Sequence, residues 1–267
     1  MSQKKFKPML SQYLQVGKKA AEVGGTLALK YFSKQAVKVF YKKDLSPVTQ
    51  ADKETEYAIR KVLKQHCRQH QICGEELEDW SIQQSEFRWW IDPIDGTRLF
   101  IRGIPFWGTL LGLEYQQEVV LGVIYHPALN LMIWATKDQG CFVNGKRTRV
   151  SSIRKIEKGT LGYGSIRLFK TSIQARLVKL VSHVYDERGF GDCLAQSFVI
   201  QGNMEAVIEP VVKPYDVAAV KICVEESGGK FTDWNGKPTI YSGHALSSNG
   251  WVHQQILNGL RGSSPNA

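Results

Sequence analysis

The segment Trp90-Ile91-Asp92-Pro93-Ile94-Asp95-Gly96-Thr97 carries two carboxylates three residues apart, followed at once by a glycine and a hydroxyl side chain. The run Arg88 to Ile91 reads as a short buried strand that delivers Asp92 to its carboxyl end. Pro93 is expected to stop the strand ladder, and the chain then turns so that Asp95 returns beside Asp92. Two carboxylates held that close repel each other unless a cation lies between them. Mg²⁺ suits the place, since it takes oxygen ligands and retains several waters. The N–H groups of Gly96 and Thr97, at the start of a short helical turn, offer a geometry that binds phosphate. The same residues also fit a plain Asp-rich turn, because Asp-Gly is ordinary turn chemistry.

Three further acidic segments weigh against the plain turn. Cys73-Gly74-Glu75-Glu76 follows a short apolar piece, which puts Glu75 at the end of a neighbouring strand. Pro47-Val48-Thr49-Gln50-Ala51-Asp52 puts an acid at a helix start, and Lys213-Pro214-Tyr215-Asp216 puts another at the start of a mostly apolar helix. Each alone fits a helix-start or surface acid, where negative charge favours the helix dipole. The four together resist that explanation.

The elements that must carry these residues are legible from periodicity. Leu10, Leu14, Ala20, Val23, Leu27 and Tyr31 recur at helical spacing and predict a helix over 9–33, which Gly24-Gly25 weakens while permitting close packing. Ser46-Pro47 marks a turn, and a second helix is expected over 49–66 with Asp52 in its first turn. Strands are expected over 107–114, 119–125 and 131–136, and Asn144-Gly145 is a hairpin signal. Further on, strands over 161–165, 206–209, 230–232 and 240–241 are interspersed with helices over 172–182, 195–201, 216–227 and 252–260, the segment 195–201 fitting a strand as well but favouring a helix. Gly228-Gly229 closes the third of these helices. Strand runs between helices imply a layered α/β or α+β architecture.

A chain of 267 residues can form one large domain or two closely packed halves. No apolar run is long enough to cross a bilayer, and the lysine-bearing start lacks the apolar stretch of a secretory signal. Five scattered cysteines read as reduced thiols of a cytoplasmic protein. The net charge of +10 is spread out, with a modest cluster at Lys38, Lys42 and Lys43. A solvated basic surface accounts for it, and steering of an anionic substrate comes next; no nucleic-acid or membrane partner is expected.

Val48-Thr49-x-Ala51-Asp52, Gly74-Glu75-Glu76, Asp92-Pro93-Ile94-Asp95-Gly96-Thr97 and Tyr215-Asp216-x-Ala218-Ala219 resemble, in order, the motifs of the inositol monophosphatase superfamily. The resemblance runs from about residue 10 to 260. Phe100-Ile101-Arg102-Gly103-Ile104-Pro105, Trp107-Gly108-Thr109-Leu110 and Gly191-Asp192-Cys193 look closer still to its histidinol-phosphate phosphatase branch. Tyr215 stands where the family usually has Trp, and Arg98 where Thr or Lys is more usual. The resemblance implies an alternating αβαβα sandwich, one phosphatase domain with two sub-regions (about 1–150 and 151–267), a homodimer, and Mg²⁺-dependent hydrolysis of a small phosphorylated metabolite. It implies that Glu75, Asp92 and the Ile94 carbonyl hold one Mg²⁺ and that Asp92, Asp95 and Asp216 hold a second, with Glu75 touching a weaker third. Thr97 and Asp52 would orient or deprotonate the attacking water, Gly96 and Thr97 would bind phosphate, and Asp192, Glu209 and Ser165 would face the alcohol.

Other chemistries fit the sequence less well. Cys141 to Arg147 matches the C-x5-R spacing of thiolate phosphatases, but Asn144-Gly145 makes it a hairpin, not a loop into a helix. Cys67, His70 and Cys73 have plausible zinc spacing without a fourth ligand of structural logic. A degenerate phosphatase fold that only binds an anion would gain nothing from a carboxylate cluster.

Overall fold

The computed structural model describes residues 3–34, 39–41, 47–79 and 85–262. In chain order its elements are α1 (Gln3–Lys34), β1 (Val39–Tyr41), β2 (Pro47–Thr49), α2 (Gln50–His66), β3 (Gln71–Gly74), β4 (Phe87–Asp95), the short α3 (Thr97–Phe100), β5 (Gly108–Tyr115), β6 (Glu118–His126), β7 (Leu131–Thr136), β8 (Gly140–Val143) and β9 (Lys146–Arg147). There follow β10 (Thr160–Tyr163), α4 (Thr171–Val181), β11 (Asp186–Arg188), α5 (Asp192–Ile200), β12 (Ala206–Glu209), α6 (Pro214–Glu226), β13 (Lys230–Thr232), β14 (Ala245–Ser248) and α7 (His253–Arg261).

Strands β3 to β9 lie in chain order in one seven-stranded sheet, with β3 parallel to β4 and the rest an antiparallel meander. The second sheet has the order β11-β10-β12-β14-β13. Alternation along β5 sorts its side chains between two cores. Leu111 and Leu113 meet Leu10, Ala20, Ile59 and Leu63 of α1 and α2, while Leu110 faces Val217, Ala218 and Val220 of α6. Helix α5 packs on α6 and β12, and α4 and α7 bury Leu177, Leu180, Ile256 and Leu257 against Leu161, Ile208 and Leu246 on the far face of the second sheet. The layers therefore run α–β–α–β–α, as the resemblance implied.

Helix α6 lies unusually close to the first sheet. Gly112 and Gly122 are cross-strand partners. A Cβ on Gly112 would stand 2.5 Å from the Ala218 Cβ, and one on Gly122 would stand 2.6 Å from the Ala219 carbonyl oxygen. Only glycine admits this approach, and it fixes the depth at which the second turn of α6 meets the sheet.

Several expectations need correcting. Pro93 does not stop the ladder: β4 continues to Asp95. Asp92 pairs with Leu110 and Asp95 with Gly108, so β4 carries one extra residue, a bulge where a missing N–H costs little. Residues 240–241 are not a strand; the partner of β12 and β13 is β14, which the sequence reading passed over. Strand β10 ends at Tyr163, before Ser165, and α5 begins three residues earlier than expected. Pro47 opens β2; Ser46 and the Lys38, Lys42, Lys43 cluster lie outside the described residues. No helix among the described residues is long and apolar enough to cross a membrane.

Candidate active site

The bulge in β4 explains how the two aspartates meet. In a regular strand, residues three apart point to opposite faces. One inserted residue reverses that parity, so Asp92 and Asp95 share a side. Asp92 Oδ1 accepts the Ile94 N–H at 3.0 Å, and the Pro93 carbonyl accepts the Thr109 hydroxyl at 2.8 Å. Gly96 then takes φ +86°, a left-handed conformation that only glycine adopts freely, and caps α3.

Two other acids arrive by a shared device. Asp52 and Asp216 each occupy the third position of a helix and accept the N–H of the residue that caps it. The Thr49 N–H donates to Asp52 Oδ2 at 2.8 Å, and the Lys213 N–H donates to Asp216 Oδ2 at 2.6 Å. The helix-start role and a role in the site are thus compatible, because capping anchors one oxygen and leaves the other to face elsewhere. Oxygens of Asp92, Asp95 and Asp216 come within 4.8 Å of one another. The Thr97 hydroxyl donates to the Ile94 carbonyl at 3.0 Å and lies 3.4 Å from Asp52 Oδ1.

Glu75 sits just past β3, its N–H donating to the Ile91 carbonyl at 3.2 Å. Its position depends on a pair the sequence reading missed. Glu56 and Arg60, one turn apart on α2, form a buried ion pair at 2.7 Å. Glu56 accepts the N–H of Glu76 at 2.7 Å and of Leu77 at 3.3 Å, and Arg60 donates to the carbonyls of Ile72 and Leu77. The i, i+4 spacing was the available signal.

Electrostatics mark the same place. Burial, then the charges of Glu75, Asp95 and Asp216, pushes the Asp92 carboxyl well above the ordinary range. Burial, then Asp192 and Asp216, does the same to Asp95. Asp216 is pushed up to about 7, burial outweighing the Lys213 N–H, and Asp52 to about 6 against its bonds from Thr49. So many carboxylates raised together call for a positive partner. The donors are all oxygen, which fits a hard divalent cation.

Beside this corner, Asp95, Asp192, Gln196, Glu209, Val212 and Asp216 line a cavity of about 40 Å³. Asp192 opens α5 at φ +60°, and its N–H donates to Glu209 Oε1 at 3.0 Å. Burial raises Asp192 against the opposing charge of Arg98, and burial with Asp192 raises Glu209 well above its usual value. Asp192 is half-buried in the first turn of α5. Ser165 is exposed and does not line this cavity. The Cys193 N–H donates to Asp95 Oδ2, tying α5 to the metal corner. His126 adds a second tie: its Nδ1 lies 3.0 Å from the Trp107 carbonyl and its Nε2 2.8 Å from the Ser197 hydroxyl. A carbonyl only accepts, so Nδ1 carries the proton.

Elsewhere, Cys141 is fully buried on β8, and Phe142 pairs with Arg147 across a turn in which Asn144 and Gly145 both have positive φ. That is a hairpin, and the thiolate mechanism has no loop to act from. His70 accepts the Trp89 indole N–H at 3.1 Å and stacks on Phe87.

A model of the inositol monophosphatase family matches residues 9–265. The chain belongs to that family. A histidinol-phosphatase of Chlorobaculum parvum is 35% identical over 243 residues, covering 88% of this chain and 91% of the relative. Among solved structures, the extragenic suppressor protein suhB of Bartonella henselae is similar at a TM-score of 0.89 and 28% identity, covering 94% of this chain and 98% of that one. An inositol monophosphatase from Anabaena (Nostoc) sp. is similar at a TM-score of 0.83 and 26% identity, covering 96% and 98%. The inositol monophosphatase family is metal-dependent and acts on phosphate monoesters, and the chain is a phosphatase of that class.

Proposed function

We propose that the chain is a Mg²⁺-dependent histidinol phosphatase, releasing phosphate from L-histidinol phosphate. One observation carries the choice of alcohol: Asp192 and Glu209, two acids outside the metal corner, line the same cavity as Asp95 and Asp216. Histidinol presents an ammonium and an imidazole, which gain from carboxylate partners; a polyol needs only neutral hydrogen bonds.

In this reading Glu75, Asp92 and the Ile94 carbonyl would hold one ion, Asp92, Asp95 and Asp216 would hold another, and Glu75 would touch a third. When bound, Mg²⁺ supplies positive charge that makes water more acidic and neutralises the phosphoryl and leaving oxygens. The chain's own part is to aim and deprotonate the water and to hold the ester. Asp52, raised to about 6, is ionised at neutral pH yet basic enough to take a proton. Thr97 lies 3.4 Å from it and positions the water by hydrogen bonding. The N–H groups of Gly96 and Thr97 hold the phosphate, Asp192 and Glu209 meet the alcohol, and Ser165 is read as a contact at the outer rim. The same reading makes the enzyme a cytoplasmic homodimer, which light scattering on the purified protein checks for oligomeric state.

Inositol 1-phosphate is the second reading, supported by the likeness to the Anabaena inositol monophosphatase and by the ability of Glu209 to accept from a hydroxyl. Phosphate release from both esters, with wild type and Asp192→Asn, decides between them. The histidinol reading expects histidinol phosphate to have the higher kcat/KM and Asp192→Asn to lower it selectively. Preference for inositol 1-phosphate, or an equal effect of Asp192→Asn on both, overturns the histidinol assignment and leaves the phosphatase class standing.

A further inference from the structure

The cavity beside the metal corner contains one side chain that neither the motifs nor the reaction steps account for. Gln196 sits one turn after Asp192 on α5, on the same helix face, and is 2% exposed. Neither its Nε2 nor its Oε1 has a hydrogen-bond partner among the described residues. Its neighbour Ser197, equally buried, has partners for its hydroxyl, which lies 2.8 Å from both the Cys193 carbonyl and His126 Nε2. A buried amide left unmatched at both ends is costly, and such groups in native proteins call for an explanation. Here the amide borders the cavity that also holds Asp192, Glu209 and Asp216.

Chemistry narrows what the amide meets. Carboxylates accept only, so a cation is already served by Asp192 and Glu209. An amide offers a donor and an acceptor together. It therefore suits a neutral group, whether that group donates or accepts. A volume of about 40 Å³ is little more than one water's share of liquid, so the cavity is the floor of a pocket and admits the edge of a group, not a whole substrate.

We propose that Gln196 is a specificity-determining residue of this phosphatase, its amide hydrogen-bonding a neutral polar group on the alcohol part of the substrate, one ring nitrogen of the imidazole in the case of histidinol. The inference rests on the phosphatase reading above. Its competitor is a cavity filled by water that satisfies the amide with no part in recognition.

The test uses the full chain with Mg²⁺ and compares wild type with Gln196→Leu, and with Gln196→Met should Gln196→Leu fail to fold. Each is assayed for kcat and KM on L-histidinol phosphate, inositol 1-phosphate and phenyl phosphate, whose leaving group lacks such a polar edge. The expected result is a fall of about tenfold to a hundredfold in the ratio of kcat/KM for histidinol phosphate to that for phenyl phosphate, carried mainly by KM. The melting temperature should not drop, since the lost amide had no protein partner. A fall confined to inositol 1-phosphate supports the role of Gln196 and overturns the imidazole assignment, its partner then being a hydroxyl. Variants that keep the wild-type ratios, or change all three substrates alike, overturn the proposal while wild-type activity upholds the phosphatase reading. Wild type that releases phosphate from none of the esters sinks that reading, and the inference with it.

Discussion

The acidic corner and the adjoining cavity share two walls, Asp95 and Asp216, yet they are built differently. In the corner, carboxylates are anchored one by one through backbone N–H groups: Asp92 by Ile94, Asp52 by Thr49, Asp216 by Lys213, Asp95 by Cys193. Except for the last, each anchor comes from within three residues. The pocket is assembled over longer distances, with Asp192 on α5 meeting Glu209 at the end of β12, and Gln196 left unanchored. The acids of the corner are thus fixed mainly by short-range backbone contacts.

The largest expected effect tests the corner. Asp95→Asn and Asp216→Asn should each lower kcat at saturating Mg²⁺ by at least ~10²-fold, as loss of a main electrostatic stabiliser does, with circular dichroism unchanged. Near-normal turnover by both variants would break the distinction drawn here, because the corner would then not be the centre of the chemistry.

Next comes the support beneath both regions. Gly122→Ala forces a Cβ against the Ala219 carbonyl and must lift the start of α6, which carries Asp216. Overpacking of this kind costs about 1–3 kcal/mol, read by urea unfolding. Mg²⁺ binding, followed by calorimetry, should weaken with it. A variant destabilised with wild-type Mg²⁺ affinity would show that the depth of α6 does not set the corner.

A third measurement separates the corner by pH. Carboxyls raised in the fold hold protons that the unfolded chain releases near pH 4. Their contribution to stability without metal is full below that pH. It is lost as pH rises through about 6 for Asp52 and about 7 for Asp216. A cation that needs the ionised cluster restores it. The rise in melting temperature on adding Mg²⁺ should therefore be larger at pH 8 than at pH 5, and equal rises would place the metal elsewhere.

The smallest effect is expected away from both regions. Cys141→Ser should leave turnover within about threefold, well under 1 kcal/mol in the barrier. Complete loss of activity in a folded variant would return attention to the thiol.

What the linear chain determined was whatever short-range chemistry could encode. Asp92-Pro93-Ile94-Asp95-Gly96-Thr97 announced a carboxylate pair and a phosphate-binding turn, and Asp52 and Asp216 were legible as helix-start acids. Periodicity placed α2, β5 to β7 and α6 nearly as they stand, while α1 begins six residues before the expected start. What escaped depended on neighbours distant in sequence. Ala-Leu-Ser-Ser over 245–248 is too short and polar to read as a strand, yet it lies between β12 and β13 with all four residues buried. The bulge that turns Asp92 and Asp95 to one side exists only against β5, since parity in a strand has meaning only relative to its partner. Gly112 and Gly122 read as ordinary strand glycines until α6 lies across them. Gln196 reads as one more residue of an apolar helix; only tertiary packing buries it, denies it a protein partner and sets it beside Asp192 and Glu209, because burial and hydrogen-bond satisfaction belong to the folded surroundings and not to the residue.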